Sequence, residues 1–162
     1  MSAGDALWRH VLAVYARPEV RQACLDLQDR RGANVCLLLF AQWAGAACGH
    51  RLGRAEAERL GAAAPWHSEI VEGLRAVRRR LRSGPAPAPD AATERLRAQV
   101  QAAEIEAERI ELLTLAALLP LSPRAAAETE AEAVALANLT LVCPPETPED
   151  ARALEILAGS RP

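Results

Sequence analysis

The sequence predicts an all-α protein, a compact bundle of seven or eight helices. Ala, Leu, Arg and Glu dominate the 162 residues, and all four favour helices. No segment shows the alternation of β-branched and polar residues that marks a half-buried strand. Gly and Pro divide the chain into segments of helical length. We therefore expect one helical domain over 1–162, with a core lobe at 1–82, a Pro-rich linker at 83–90 and a second helical layer at 91–162.

The first two predicted helices are amphipathic and have clear boundary signals. Asp5 is placed to cap the first helix. Pro18 suits the first turn of the second helix, and Gly32 suits the position just after its end. The apolar face of the first helix consists of Leu7, Trp8, Val11, Leu12 and Tyr15.

The third predicted helix, at 35–48, is almost wholly apolar. Asn34 is its expected N-cap, and Gln42 is its one amide side chain. A helix needs about 20 apolar residues to cross a bilayer, so this shorter run predicts a buried helix at the centre of the fold.

A short helix near 54–63 and a longer one ending near Arg82 should follow. The longer helix should turn one apolar stripe inward: Ile70, Leu74, Val77 and Leu81. The alternating prolines of the 83–90 linker then predict an extended, semi-rigid segment.

A long helix near 91–119 carries apolar or small residues at alternating steps of four and three, the spacing of a heptad seam. The seam consists of Leu96, Val100, Ala103, Ala107, Ile110, Thr114 and Ala117. Ser122 and Pro123 predict the start of a further helix, and Thr147 predicts the cap of the last one.

A polar cluster around the break between the second and third helices is the first candidate site. Asp29 has the chemistry of a general base, and Asp26 with Asp29 has that of a cation site. The structural alternative is an Asp26–Arg30 ion pair one helical turn apart, beside a capping asparagine. The candidate pocket consists of Asp26, Gln28, Asp29, Asn34 and Gln42.

A run of arginines is the second candidate, for binding anionic groups: Arg75, Arg78, Arg79 and Arg82. No aromatic residue is interleaved with them, so nucleic acid is not favoured, whereas peripheral membrane contact stays open. The alternative is ion pairing with the glutamates of the long helix. A hairpin folded at the linker would place Glu104 opposite about residue 70, so we expect most of these arginines to remain unpaired.

The sequence predicts no metal site, no cofactor and no catalytic constellation. It has neither a C-x-x-C pair nor a glycine loop for phosphates. The N-terminal residues do not have the pattern of a signal peptide. Cys24, Cys36, Cys48 and Cys143 are therefore expected to be reduced thiols in a cytoplasmic protein.

Several motifs resemble a bacterial family, the one catalogued as domain of unknown function 2390. They are Trp8, Tyr15, Cys24-Leu-x-Leu-Gln-Asp29, Gly32-x-Asn-Val35, Leu37-Leu-Leu-Phe40 and Trp43, with Trp66, Leu74-Arg75-x-x-Arg78 and Glu104-x-Glu106-Ala-Glu108 downstream. Cys36 departs from the family pattern, where a second polar residue is expected. The resemblance implies an identity and no mechanism, because the family has no established activity.

We therefore expect a non-enzymatic protein-interaction or adaptor module. Its partner should be another protein, or a second copy bound through residues 96–117. Two alternatives remain open at this point. One is a small-molecule or enzymatic pocket beside the 29–34 break, and the other is docking to an anionic membrane or nucleic acid through Arg75–Arg82.

Overall fold

The computed structural model describes residues 2–125 and 127–162, and every regular element within these ranges is a helix. The all-α prediction is confirmed, with seven helices of ten or more residues in the described ranges. The helices are α1 (Ala3–Tyr15), α2 (Pro18–Arg31), α3 (Val35–Ala46), α4 (Arg54–Leu60), α5 (Ala64–Trp66), α6 (Glu72–Leu81), α7 (Ala91–Leu118), α8 (Glu128–Val142) and α9 (Pro148–Ala158). A 3₁₀ turn, Gly61–Ala63, and a π segment, His67–Val71, make the chain from α4 to α6 almost continuously helical.

Most predicted helix ends are confirmed by their caps. Gly32 ends α2 with a φ of 60°, and Asn34 Oδ1 accepts the Leu37 amide of α3 at 3.1 Å. The prediction that Asp5 caps α1 is wrong. Ser2 is the N-cap, and Asp5 is the third helical residue, whose carboxylate accepts the Ser2 amide at 3.1 Å. The two residues therefore form a capping box.

Two connecting segments differ from their predictions. Ser122 and Pro123 do not start a helix, because α8 begins only at Glu128. Instead, the Arg124 amide donates to the Ala47 carbonyl at 2.9 Å, which ties this segment to the end of α3. The 83–90 linker is not extended either. The Ala88 amide donates to the Pro85 carbonyl at 2.9 Å, so the linker contains a turn.

The contacts divide the chain into two compact units. Unit 1 is Met1–Gly61 with Leu112–Pro162, and unit 2 is Ala62–Glu111. This grouping differs from the predicted division into 1–82 and 91–162, because α8 packs on α3 and α9 packs on α2. The helix α7 contributes its C-terminal turns to unit 1 and the rest to unit 2.

Unit 1 is built around α3, whose large apolar side chains Phe40 and Trp43 are fully buried. The predicted central apolar helix is therefore present, over Val35–Ala46. Gly45 allows α8 to approach closely, since a Cβ atom there would lie 2.4 Å from both Cα and N of Ala135. The α3–α8 contact is thus made backbone to backbone.

Unit 2 is an antiparallel hairpin of α6 and the first part of α7, joined by the 83–90 linker. Its inner surface is polar. Arg75 of α6 and Glu104 and Glu111 of α7 are all buried. The predicted inward stripe on α6 is wrong, because Ile70 and Val77 are exposed. Charged side chains lie between the two helices, where the periodicity of the sequence predicts apolar ones.

Candidate functional site

A buried polar centre in unit 1 is built on Gln42. Its Nε2 donates to the Ser160 carbonyl at 2.9 Å, and its Oε1 lies 2.7 Å from Nε2 of His10. An amide oxygen can only accept, so His10 carries its proton on Nε2, and Nδ1 is the acceptor of that ring. All three residues are buried. The bonds tie α1, α3 and the C-terminal segment together.

His10 is held in its neutral form. Burial lowers the pKa of its imidazole, and the hydrogen bond to Gln42 only partly opposes this. The centre therefore has no charge. The Ser160 hydroxyl donates to the Ile156 carbonyl at 2.6 Å, and the centre as a whole links helices.

Asn138 forms a second neutral link in unit 1. Its Oδ1 accepts the Leu52 amide at 2.8 Å, and its Nδ2 donates to the carbonyls of Ala41 at 3.2 Å and His50 at 2.8 Å. These bonds satisfy the backbone between α3 and α4, which would otherwise be buried without partners. Sequence reasoning missed Asn138, since one asparagine in a helix carries no local signal of tertiary bonding.

The five predicted pocket residues are not brought together. Gln42 belongs to the His10 centre, and Asp26 accepts from Gln22 Nε2 at 2.8 Å on the surface of α2. Gln28 is half-buried, and Asp29 is exposed. Asn34 caps α3 and also lines a cavity of about 220 Å³ beside the α2–α3 break.

That cavity lies where the sequence predicted a pocket, but most of its lining is different. It is lined by Arg31, Gly32, Ala33, Asn34, Leu37, Leu38, Val142, Cys143 and Pro144. The charged member is Arg31, whose Nη1 lies 2.5 Å from Glu146 Oε2 and 3.6 Å from Asp150 Oδ2. Burial raises the pKa of the Cys143 thiol, so this thiol is not activated as a nucleophile. The volume lies below the roughly 300–1,000 Å³ of ordinary ligand pockets.

The buried groups of unit 2 are ionic. Arg75 donates from Nε to Glu104 Oε1 and from Nη2 to Glu108 Oε1, both at 2.9 Å. Arg78 also donates to Glu104, with Nη2 at 3.2 Å from Oε1. One carboxylate between two guanidinium groups is a network in which each charge is compensated.

Two further contacts extend this network towards the start of α6. His67 Nδ1 lies 2.9 Å from Oε2 of the fully buried Glu111. The Trp66 indole donates from Nε1 to the Ala107 carbonyl at 3.0 Å. Polar contacts thus hold residues 66–78 against residues 104–111, the half of the hairpin away from the linker.

The two carboxylates beside Arg75 have opposite pKa shifts. Desolvation opposes ionisation of Glu104, but hydrogen bonds from Arg78 and Arg75 outweigh it and hold the pKa of Glu104 below its ordinary value. Burial raises the pKa of Glu108, and Arg75 only partly offsets this effect. Arg78 and Arg75 thus keep Glu104 ionised, whereas Glu108 is the weaker acid of the two carboxylates.

The predicted hairpin register is wrong, and this changes the environment of the arginine run. Arg75, not residue 70, lies opposite Glu104, so Arg75 and Arg78 are engaged by carboxylates. Arg79 and Arg82 are exposed, and their binding to anionic groups stays a prediction. A complementary signal was present in the sequence, because basic residues at 75 and 78 match acidic residues at 104 and 108 on single helix faces.

An apolar surface lies beside these ion pairs. On α6, Leu74 directly precedes Arg75 and Val77 directly precedes Arg78, and both arginines bond to α7. On α7, Ala103 directly precedes Glu104 and Ala107 directly precedes Glu108, the two carboxylates that bond to Arg75. Because the helices are antiparallel, this shared offset places both stripes on the same side of the hairpin. We call this surface the hairpin face: Trp66, Ile70, Leu74, Val77 and Leu81 with Leu96, Val100, Ala103, Ala107 and Ile110.

The hairpin face is largely accessible. The exposed fractions of its largest exposed side chains are 49% for Val77, 46% for Leu96, 40% for Ile110, 39% for Ile70 and 36% for Trp66. Among its ten members, Ala107 is the buried one. The heptad seam predicted from sequence is therefore mostly an outer surface of the described chain.

Fold and site define a helical protein whose buried polar groups link helices and whose most conspicuous surface is apolar. Within the described residues, no cluster of three or more His, Cys, Asp or Glu side chains is arranged to bind a metal. None of the helices there combines the length and the apolar character that crossing a bilayer requires.

The chain belongs to the family described as Protein of unknown function (DUF2390), whose model matches residues 6–115. The resemblance inferred from the motifs is thereby confirmed. No curated protein and no solved structure matches the chain.

Proposed function

We propose that this protein is a non-catalytic helical module that binds another protein through the hairpin face, in the bacterial cytoplasm. The main support for this proposal is that both helices of one hairpin have exposed apolar stripes. Single exposed apolar side chains are common on soluble proteins, whereas contiguous ones rimmed by polar residues mark interaction sites. The flanking residues here are the charged residues of α6 and α7.

The ion pairs support the same function by keeping the two helices in register. Arg75 bonds to carboxylates on two successive turns of α7, Glu104 and Glu108. A surface that is ordered before binding loses less conformational entropy on association. The buried network thus provides a preformed face without taking part in the contact itself.

The cysteines support a reducing compartment. None of the four forms a disulfide, and all four are buried. Burial raises the pKa of the Cys24 and Cys48 thiols to about 12, so both are protonated, inert core residues. Free thiols are typical of the cytoplasm, where disulfides are kept reduced.

Site-specific photo-crosslinking in the native cells tests the proposal. A crosslinking amino acid placed at Val77 should yield a discrete protein adduct. The matched control is Leu12 on α1, which is 51% exposed and lies outside the hairpin face. Equal yields from the two positions, or no adduct from Val77, would contradict the proposal.

A second candidate function is the binding of a ligand smaller than those of ordinary pockets, in the cavity of about 220 Å³ beside the α2–α3 break. Native mass spectrometry of the protein purified from its own cells should then detect a bound small molecule. Leu37→Trp, which fills the cavity, should release it, whereas Leu12→Trp should not. A spectrum that contains only the bare chain would exclude this candidate.

A further inference from the structure

We infer that the partner of the hairpin face is the same face of a second copy of this chain, bound antiparallel about a two-fold axis. The inference rests on the proposed function and names its partner. The observation behind it is the distribution of charge along the hairpin.

The two ends of the hairpin have opposite charge. Residues 78–97, at the linker end, contain six Arg and two acidic residues. The remainder of unit 2, residues 62–77 and 98–111, contains two Arg and six Glu. Unit 2 is therefore neutral as a whole but strongly polarised along its helices.

This polarity selects one arrangement of two copies. When two hairpin faces meet antiparallel, the basic linker end of each copy lies over the acidic end of the other. A parallel arrangement would place like charges together at both ends, which is unfavourable. An antiparallel two-fold contact uses the same surface on both copies and closes on itself, so it predicts a dimer and not a filament.

The apolar part of the face has the spacing that such a contact requires. Leu96, Val100, Ala103, Ala107 and Ile110 are separated by steps of four and three, the pattern of helices that pack side by side in bundles. Two hairpins joined face to face form a four-helix arrangement, in which these residues and the α6 stripe fill the centre. The buried ion pairs remain between α6 and α7 of each copy.

Exchange of the charges at the two ends is the decisive experiment. One full-length variant carries Arg80→Glu and Arg95→Glu, and the other carries Glu69→Arg and Glu106→Arg. All four positions are exposed. We expect the wild type to form a dimer in sedimentation velocity at concentrations up to about 100 µM. Each variant alone should dimerise at least about tenfold more weakly.

An equimolar mixture of the two variants should dimerise more strongly than either variant alone, because the unchanged acidic end of one variant then lies over the unchanged basic end of the other. Circular dichroism of each variant checks that the helices remain folded. A mixture no stronger than its components would overturn the antiparallel arrangement. A wild type that stays monomeric throughout would overturn the second copy as partner.

The crosslinking experiment separates the two proposals. An adduct from Val77 with the mass of two chains supports both. An adduct with another protein, together with a monomeric wild type, supports the proposed function and overturns this inference. The absence of any adduct from Val77 counts against both.

Discussion

The polar groups that link α3 to its neighbours in unit 1 are neutral, whereas those between the helices of unit 2 are ionised. Unit 1 buries an ion pair elsewhere, where Asp150 of α9 meets Arg30 of α2. Gln42 bonds to a neutral imidazole and a carbonyl, so its burial requires satisfied hydrogen bonds and no counter-charge. Arg75 and Glu104 are buried between α6 and α7, and each neutralises the charge of the other. A neutral link suits the apolar interior around α3. An ionic link suits a two-helix hairpin whose apolar residues remain available at the surface.

Removal of one partner of the ion pair should have the largest effect. Arg75→Met leaves Glu104 buried with one guanidinium fewer, and we expect a loss of about 3–5 kcal/mol in the free energy of unfolding. Urea denaturation measures it. The double variant Arg75→Met with Glu104→Leu should recover at least half, because the buried charge is then gone. If the single variant loses under about 1 kcal/mol, the pair is not a structural link.

The second largest effect should come from close packing, which differs between Gly45 in unit 1 and Gly73 in unit 2. Gly45→Ala places a Cβ against the Ala135 backbone, which cannot move aside as a side chain would, so we expect a loss of about 3 kcal/mol. Gly73 of α6 has no atom within 4 Å of an added Cβ. Gly73→Ala should therefore raise the free energy of unfolding by up to about 1 kcal/mol, through helix propensity alone. Thermal unfolding of both variants checks the two signs, and a stabilising Gly45→Ala would contradict the α3–α8 contact.

The neutral centre of unit 1 should respond more moderately. Gln42→Met keeps the volume but leaves the His10 ring and the Ser160 carbonyl without their partner, at a cost of about 2 kcal/mol. A double-mutant cycle with His10→Leu should show that the two losses are not additive. Fully additive losses, measured by urea denaturation, would mean that the His10–Gln42 bond adds no stability.

The pH dependence of unfolding should have two windows, of which the upper one belongs to His10. Its folded pKa is lowered, so the unfolded chain takes up the proton first as the pH falls through about 6.5. The free energy of unfolding then decreases, by at most about 1.4 kcal/mol per pH unit for one proton. His10→Gln should remove this slope between pH 7 and 5. An unchanged slope would show that His10 is not its source.

Glu104 contributes to the lower window, together with other carboxylates of lowered pKa such as Asp150. The folded pKa of Glu104 is below the ordinary value of 4.5, so its stabilising contribution is present above that pH and is lost as the pH falls further. Glu108, whose pKa is raised, acts in the opposite sense. Circular dichroism of unfolding below pH 4.5 should therefore show a steeper loss in the wild type than in Glu104→Gln.

Local signals were sufficient for most helix ends. Gly32, Asn34 and Thr147 take the positions that their backbone preferences and capping side chains predicted. Ser122 shows where such signals fail, since a Ser-Pro pair is equally compatible with the irregular segment that Arg124 ties to α3. Periodicity fails in a related way. An apolar stripe shows that residues share a helix face, but not whether that face is inside the chain.

The sequence by itself determined the all-α class, the buried α3 and the long α7, because helix propensity, caps and apolar runs are properties of consecutive residues. Only the tertiary structure decided that Gln42 bonds to His10 and that Arg75 lies opposite Glu104. It also decided that the α7 seam lies at the surface. These pairings depend on how distant segments approach one another. A few residues of linker geometry were enough to change the register of the hairpin, and with it the partners of Arg75 and Glu104.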